Sequence, residues 1–540
     1  MHKQEKFRFK KLDSIGAADA EEDARFLRDC FVDTGDLEAL RDMESARRIV
    51  IGRTGSGKSA LLLRLADAQE RVIAVRPESL ALAYISNSTI LQFMAELGVK
   101  LDIFFKLLWR HVFTVEILKY HFHITDEDTK RSFFQRICDL FKDKKHANAL
   151  KYLEDWGQSF WEETEYRIKE LTTKLERDLR ASLEGGAAPV KLAAGGTQTL
   201  SEEQKCDVIQ RAQYVVNNVQ IRQLSEIMDL LKDVLADEQK RYYIVIDRLD
   251  ENWVEDRLRF RLIRALIETV KDFSRVQHVK IIIAVRLDLL DRVFRRTRDA
   301  GFQEEKYESL YLPLDWQRGK LIELLDFRIN HLIRSRFTRQ PVSYRDILPR
   351  DLDGRQPIDY ILERTMMRPR DVILFFNLCI EKAAERPQIT VQMIREAEGE
   401  YSRARLRSLA DEWVGDYPNV ADFAQLFRGL KQQFRISDLD DTQCQEFCLD
   451  FLTKRKHERD VLLVEAERLL NDEIGVSDFR KTLFQVYYRV GLLGLRLQTA
   501  QAFIWTTVGR RSVSIAEISE ETLAAIHPMF WRVLNVEWKR

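Results

Sequence analysis

Eight residues, Gly52-Arg53-Thr54-Gly55-Ser56-Gly57-Lys58-Ser59, limit what this chain can fold into more than any other stretch. They fit G-x-x-x-x-G-K-[ST] with every fixed position filled. The flanks have the required character. Arg47–Ile51 reads as a short buried strand, and Ala60–Ala66 as a helix with an apolar face. A glycine loop between strand and helix turns its backbone N–H groups and a helix N-terminus towards phosphate oxygens. The segment expected to bind the phosphates of a nucleotide is therefore Gly52, Arg53, Thr54, Gly55, Ser56, Gly57, Lys58, Ser59 and Ala60. Lys58 would reach the β- and γ-phosphates, and the Ser59 hydroxyl would bind Mg²⁺.

At 540 residues the chain exceeds one ordinary core, so two to four domains are expected. Its 45% hydrophobic and 32% charged content is that of a soluble globular protein. Lys+Arg and Asp+Glu balance at 87 each, so no global field draws it to nucleic acid or acidic membranes. The scattered cysteines form no disulfide framework, which fits a reduced, cytoplasmic protein. Cys444 and Cys448 are expected as buried thiols; a zinc site with His457 would need a second ligand pair. The charged Met1–Lys11 is not a secretory signal. The apolar run Leu101–Tyr120 carries Asp102, Lys106, Arg110, Glu116 and Lys119, which excludes an ordinary membrane span and leaves a core helix or helix pair.

Strand character recurs at Val72–Val75, Tyr242–Ile246, Val279–Val285 and Leu310–Leu312. Continuous β-branched runs of this kind suit a parallel sheet buried on both faces. With the strand before the glycine loop they make five, and the expected core is a three-layer α/β sandwich. The predicted organisation is an N-terminal segment (1–46), a core (47–77 and 240–313), a large helical insertion (78–239), a helical lid (314–400) and a helical and winged-helix domain (401–540). The insertion includes a charged helical stretch, Trp156–Leu183, and glycine pairs at 185–186 and 195–196. Leu200-Ser201-Glu202-Glu203-Gln204 looks like the ABC signature, but glutamates replace its glycines, and a capping box starting at Ser201 explains it better. Near the C-terminus, Phe479, Leu483, Val486 and Val490 share one helix face. Strands are expected around 493–497 and 502–506, with a turn at Gly509–Arg511: a winged-helix outline. His527 reads as a packed core histidine.

Asp247 ends the strand Ile244-Val245-Ile246, where open α/β sheets hold ligands, and is the expected second Mg²⁺ ligand. Asp250 and Glu251 follow. Either would polarise the attacking water, and either would otherwise cap the next helix. In Met367-Arg368-Pro369-Arg370-Asp371, Pro369 and Asp371 suit a helix start, whereas the cationic Arg370 opposes the positive end of the dipole and calls for an anionic partner.

Asp247-Arg248-Leu249-Asp250-Glu251 resembles the D-G-x-D-E form of Walker B in STAND-type P-loop NTPases, relatives of AAA+ and origin-recognition ATPases. The resemblance implies an α/β P-loop NTPase three-layer sandwich with a helical lid and a C-terminal winged helix. Asp247 would take the metal role, while Asp250 and Glu251 share the catalytic one. Arg286 would stand at the sensor-1 position, and Arg370, or else Arg368, at the sensor-2 position, although Met367 replaces the usual glycine. An arginine finger would come from Arg295, Arg296 or Arg298, which otherwise form a solvated helix end. The opening segment Ala20–Gly35 and the closing Ile526–Phe530 also resemble a family of bacterial P-loop ATPases that often accompany anti-phage defence genes.

The expected activity is hydrolysis of Mg²⁺-ATP by an oligomeric molecular switch that signals to a partner protein. No N-K-x-D guanine signature is evident, which favours adenine. Two alternatives stand beside it. One is a DNA-binding ATPase of the origin-recognition or loader kind, touching DNA through Arg480, Lys481, Arg489, Arg510 and Arg511 of the winged helix. The other is a scaffold that binds nucleotide without hydrolysing it.

Overall fold

The structure, a computed structural model, describes residues 7–77, 98–121, 240–251, 256–298, 303–334, 340–454, 458–498, 501–506 and 511–537, with isolated positions between them. The chain forms two compact units. One comprises residues 33–53 and 58–314; the other comprises 1–32, 54–57 and 315–540.

The first unit is built on five parallel strands: β1 (Ile49–Gly52), β2 (Val72–Val75), β3 (Tyr242–Ile246), β4 (Val279–Arg286) and β5 (Tyr311–Pro313). Their order is β2-β3-β4-β1-β5. Successive side chains on a strand face opposite sides of the sheet, and the two sides are filled differently. Tyr242 shares a 2.7 Å hydrogen bond with Nδ1 of His121, at the end of the long helix Asp102–His121. Its neighbour Tyr243 donates to the carbonyl of Arg41 on the other face, at the end of α1 (Asp36–Arg41). That face is also covered by α2 (Lys58–Ala68). The Asp102–His121 helix, α3, and α4 (Asp256–Phe273) pack together with Ile49, Ile51, Ile244, Ile246, Ile281 and Ile283 in one apolar core. The result is the three-layer sandwich expected from the sequence.

Leu101–Tyr120 is thus one core helix, and among the described residues no helix is long and apolar enough to cross a membrane. The charged stretch Trp156–Leu183, the glycine pairs and the Ser201 capping box lie outside the described residues, save isolated helical positions.

The second unit is mainly helical: α5 (Arg318–Arg334), α6 (Pro357–Glu363), α7 (Pro369–Lys382) and α8 (Val391–Trp413) lead into α9 (Asp441–Lys454), α10 (Val461–Leu470) and α11 (Val476–Val490). Residues of the N-terminal segment are built into it. Arg328 of α5 is buried, where it donates to the Ile15 carbonyl at 2.8 Å and pairs with buried Asp23. Glu398 of α8 is the corresponding buried anion. It accepts from Tyr360, Arg364 and Arg532 and so ties three separated segments.

A three-stranded antiparallel sheet closes the chain: β6 (Gln433–Arg435), β7 (Leu493–Arg496) and β8 (Leu523–Ile526), in the order β6-β8-β7. β7 fulfils one expected strand, and Phe479, Leu483, Val486 and Val490 of α11 are all buried. The strand expected at 502–506 is not one. Only Ile504 bridges to Leu495, and β7 takes its ladder from β8 instead. The reason is local: the ring of Trp505 lies against Gly494, covering β7 with a side chain rather than a backbone ladder. β6, in a stretch read as helical, is a further correction. Cys444 and Cys448 are buried thiols whose pKa values burial raises to about 11 and about 12. His527 is packed between Trp505 and Phe530.

Candidate functional site

The glycine loop leaves β1 at its C-terminal end, where the strand is wholly buried. Gly55 and Gly57 have φ of +79° and +97°, the left-handed region that a side chain resists and glycine does not. Two such turns within three residues curl the backbone into a concave anion-binding nest. Helix α2 then begins at Lys58 itself, so Ser59 and Ala60 lie in its first turn.

Within the sheet unit, Lys58 Nζ donates to the carbonyls of Gly52 at 3.2 Å and Arg53 at 3.1 Å. Burial lowers its pKa, against the opposing pull of Asp247 and Asp250 and with the push of Arg286. Both carboxylates are therefore within electrostatic reach of the ammonium. β4 lies between β1 and β3, with Gly52 opposite Arg286 and Ile283 opposite Ile246. Asp247, just after β3, stands two strands away from the glycine loop, and Arg286 ends the strand between them.

Arg286 is held by two carboxylates. Nε and Nη2 donate to the two oxygens of Asp288 at 3.0 and 2.9 Å, and Nη1 donates to Asp250 at 3.1 Å. Asp288 also accepts from Arg292 at 2.8 Å. Burial would raise the Asp288 pKa, but Arg286 and then Arg292 outweigh it and hold the carboxyl below its usual value. Sequence reasoning missed Asp288, which resembles any acidic residue in a helix first turn.

Arg248 has φ of +61°, an uncommon backbone for a side chain of this size. It stands where D-G-x-D-E has its glycine, and the conformation explains that glycine. The turn is supported from α4: Arg259 donates to the carbonyls of Asp250 at 3.3 Å and Glu251 at 3.0 Å. Asp247 accepts from the Arg248 N–H at 2.9 Å, while Glu251 faces Arg248 at 3.5 Å and is exposed. In the helix that follows β4 (Leu287–Thr297), Arg295 faces Asp291 at 3.8 Å and Arg296 lies over the Phe260 ring.

The second unit contains the tip of the loop, Thr54–Gly57, together with α7. Pro369 is the first residue of α7, as its place before Asp371 predicts. Arg370 meets the loop through its backbone: its N–H donates to Gly55 at 3.3 Å, its stem packs on Gly55, and its Nε donates to the Ala18 carbonyl at 3.0 Å. The guanidinium that enters the loop is that of Arg368, which donates to the Thr54 carbonyl at 2.9 Å and to Asp371 at 2.7 Å. Met367 adopts φ of +51°, which accounts for the glycine expected there.

Among the described residues, the hydroxyls of Thr54 and Ser56 are buried without a hydrogen-bond partner. Buried polar atoms are seldom left so, and two orphaned donors on a glycine-rich nest fit phosphate oxygens. Ser59 and Asp247 carry hard oxygen atoms of the kind Mg²⁺ takes, and would be the residues to hold it. Among the described residues no cluster of three or more His, Cys, Asp or Glu forms a metal site of its own.

The parallel sheet, the glycine loop ending β1 and the carboxylate ending β3 define an α/β P-loop NTPase fold. Residues 319–410 match the FunZ-associated C-terminal helical domain. The chain is 22% identical over 546 residues to a putative transposon gamma-delta 80.3 kDa protein of Escherichia coli (strain K12), covering 97% of this chain and 67% of that one. Among solved structures, the Walker-type ATPase PABY2304 of Pyrococcus abyssi aligns over 93% of this chain and 95% of its own, with 11% identity and a TM-score of 0.36. The Aeropyrum pernix ORC2 protein in ADPNP–ADP complexes aligns over 93% and 92%, with 11% identity and a TM-score of 0.31.

Proposed function

We propose that this chain binds and hydrolyses ATP and uses the cycle as a conformational switch. The observation that carries the reading is the sheet order, which puts Arg286 between the Lys58 loop and the Asp247 carboxylate. Lys58 and the loop N–H groups would hold the β- and γ-phosphates, and Ser59 with Asp247 would hold Mg²⁺, which when bound screens the charge of the phosphate oxygens. Asp250, fixed by Arg286, would orient the attacking water, with Glu251 as the second carboxylate. Arg286 would report the γ-phosphate by exchanging a carboxylate partner for a phosphate oxygen, since a guanidinium bonds either with the same fork of donors. Arg370 would have to exchange the Ala18 carbonyl for a phosphate oxygen to do the same. A homo-oligomer, a protein partner and a part in anti-phage defence complete the proposal. The test is nucleotide binding and phosphate release with Mg²⁺-ATP: Lys58→Ala should abolish both, and full turnover in that variant sinks the assignment.

A second reading is a DNA-dependent ATPase. It draws on the succession of α11, β7 and β8, a helix followed by two antiparallel strands, and on the similarity to the transposon protein. Of the cations on that domain, Arg480 is buried against the Leu439 carbonyl and Asp441, so it is not offered to phosphates, and Arg511 donates to Glu517 at 2.9 Å. Arg510 lies outside the described residues. Salt-dependent duplex binding, lost on Arg511→Ala, would favour this reading.

A further inference from the structure

Three consecutive carbonyls of the glycine loop are each met by a donor from the helical unit to which the loop tip belongs. Thr54 accepts from Arg368 Nη1 at 2.9 Å, Gly55 from the Arg370 N–H at 3.3 Å, and Ser56 from Trp316 Nε1 at 2.8 Å. A trans peptide is planar, with its C=O and the next N–H pointing in opposite directions. Fixing those three oxygens therefore fixes the N–H groups of Gly55, Ser56 and Gly57 on the other side of the backbone. No cis peptide interrupts the pattern among the described residues.

The donors are themselves supported. Arg368 is buried and bonded to Asp371, with Glu412 at 3.8 Å. Asp371 is fully buried, and its other oxygen accepts from Arg405 at 3.1 Å. The indole of Trp316 lies close to Gly57, 3.8 Å from where a Cβ would stand.

We infer that Arg368, Trp316 and the Arg370 N–H are positioning groups that hold the loop N–H groups in phosphate-binding order, Arg368 acting through Thr54 rather than on a phosphate. This rests on the nucleotide-binding reading above. A group that shapes the nest acts on any phosphate it holds; a group that touches the γ-phosphate acts on ATP alone.

The experiment measures dissociation constants of the full chain for ADP and for a non-hydrolysable ATP analogue, alongside thermal melting. It compares wild type with Trp316→Phe, which removes one N–H and keeps the bulk, and Arg368→Lys, which cannot serve Thr54 and Asp371 together. Trp316→Phe should weaken both nucleotides by the same factor, about five- to tenfold for one lost hydrogen bond, with an unchanged melting midpoint. Arg368→Lys should weaken both further. Weakening confined to the ATP analogue, unchanged affinity in Trp316→Phe, or a fall in melting midpoint without loss of affinity would each overturn the inference. Wild-type protein that binds neither nucleotide would instead remove the reading beneath it.

Discussion

Arg286 Nη1 and Asp250 Oδ2 lie 3.1 Å apart, joining the end of β4 to the turn after β3. The pair gives the two carboxylates of that turn different standing. Both are exposed, but Asp250 is bonded to Arg286 and acts on Lys58, whereas Glu251 faces the turn's own Arg248 at 3.5 Å.

Asp250→Asn should therefore cut ATP turnover more than Glu251→Gln. Loss of a positioned acid–base group costs about 10²–10⁴ in rate. Both variants should still bind nucleotide. Steady-state phosphate release on the two proteins decides it, and a greater loss in Glu251→Gln would transfer the role.

The left-handed backbone at Arg248 predicts an unusual gain. Arg248→Gly should match or exceed wild-type stability, because glycine takes φ of +61° without the roughly 1–2 kcal/mol that a side chain costs there. Arg248→Val, with a branch at Cβ, should melt at a lower temperature. Thermal melting of the two variants gives the order.

Glu398→Ala leaves Arg364 and Arg532 without their shared buried carboxylate. Removing one partner of a buried pair costs about 3–5 kcal/mol. Denaturant midpoints should fall accordingly, and Glu398→Gln, which still accepts from Tyr360, should fall less.

Lys280 provides the pH test. Burial, then nearby Arg48, lower its pKa from 10.5 to about 8, with Asp42 opposing, while its Nζ donates to the carbonyls of Ala39 and Asp42. Between about 8 and 10.5 the folded chain binds fewer protons than the unfolded one. Stability owed to this group therefore rises with pH across that window and is lowest below it. Relative to Lys280→Met, wild type should gain on the order of 2–3 kcal/mol from pH 7 to pH 10. Paired melts at the two pH values measure it.

The parallel sheet was legible because runs such as Val279–Val285 have no amphipathic alternative, and the glycine loop because its letters and flanks agree. β6 and β8 were not, being three and four residues long, with Ala524-Ala525 compatible with a helix. The two arginines around Pro369 are equivalent as letters. Which one turns inward depends on Asp371 and Glu412, and on a carbonyl 314 positions away in sequence. Arg480 read as a surface cation for the same reason: Leu439, Asp441 and Glu520, which enclose it, are distant in sequence.

The three donors on the loop tip also bear on how such a chain can evolve. A gene fragment ending at Leu314 would encode the entire G-x-x-x-x-G-K-S signature and all five parallel strands, yet none of Trp316, Arg368 or Arg370. The signature is thus not a portable cassette. Recombination that replaced the segment after Leu314 would have to bring its own anchors for Thr54, Gly55 and Ser56, which ties the loop tip to residues 316–370 as one unit of change.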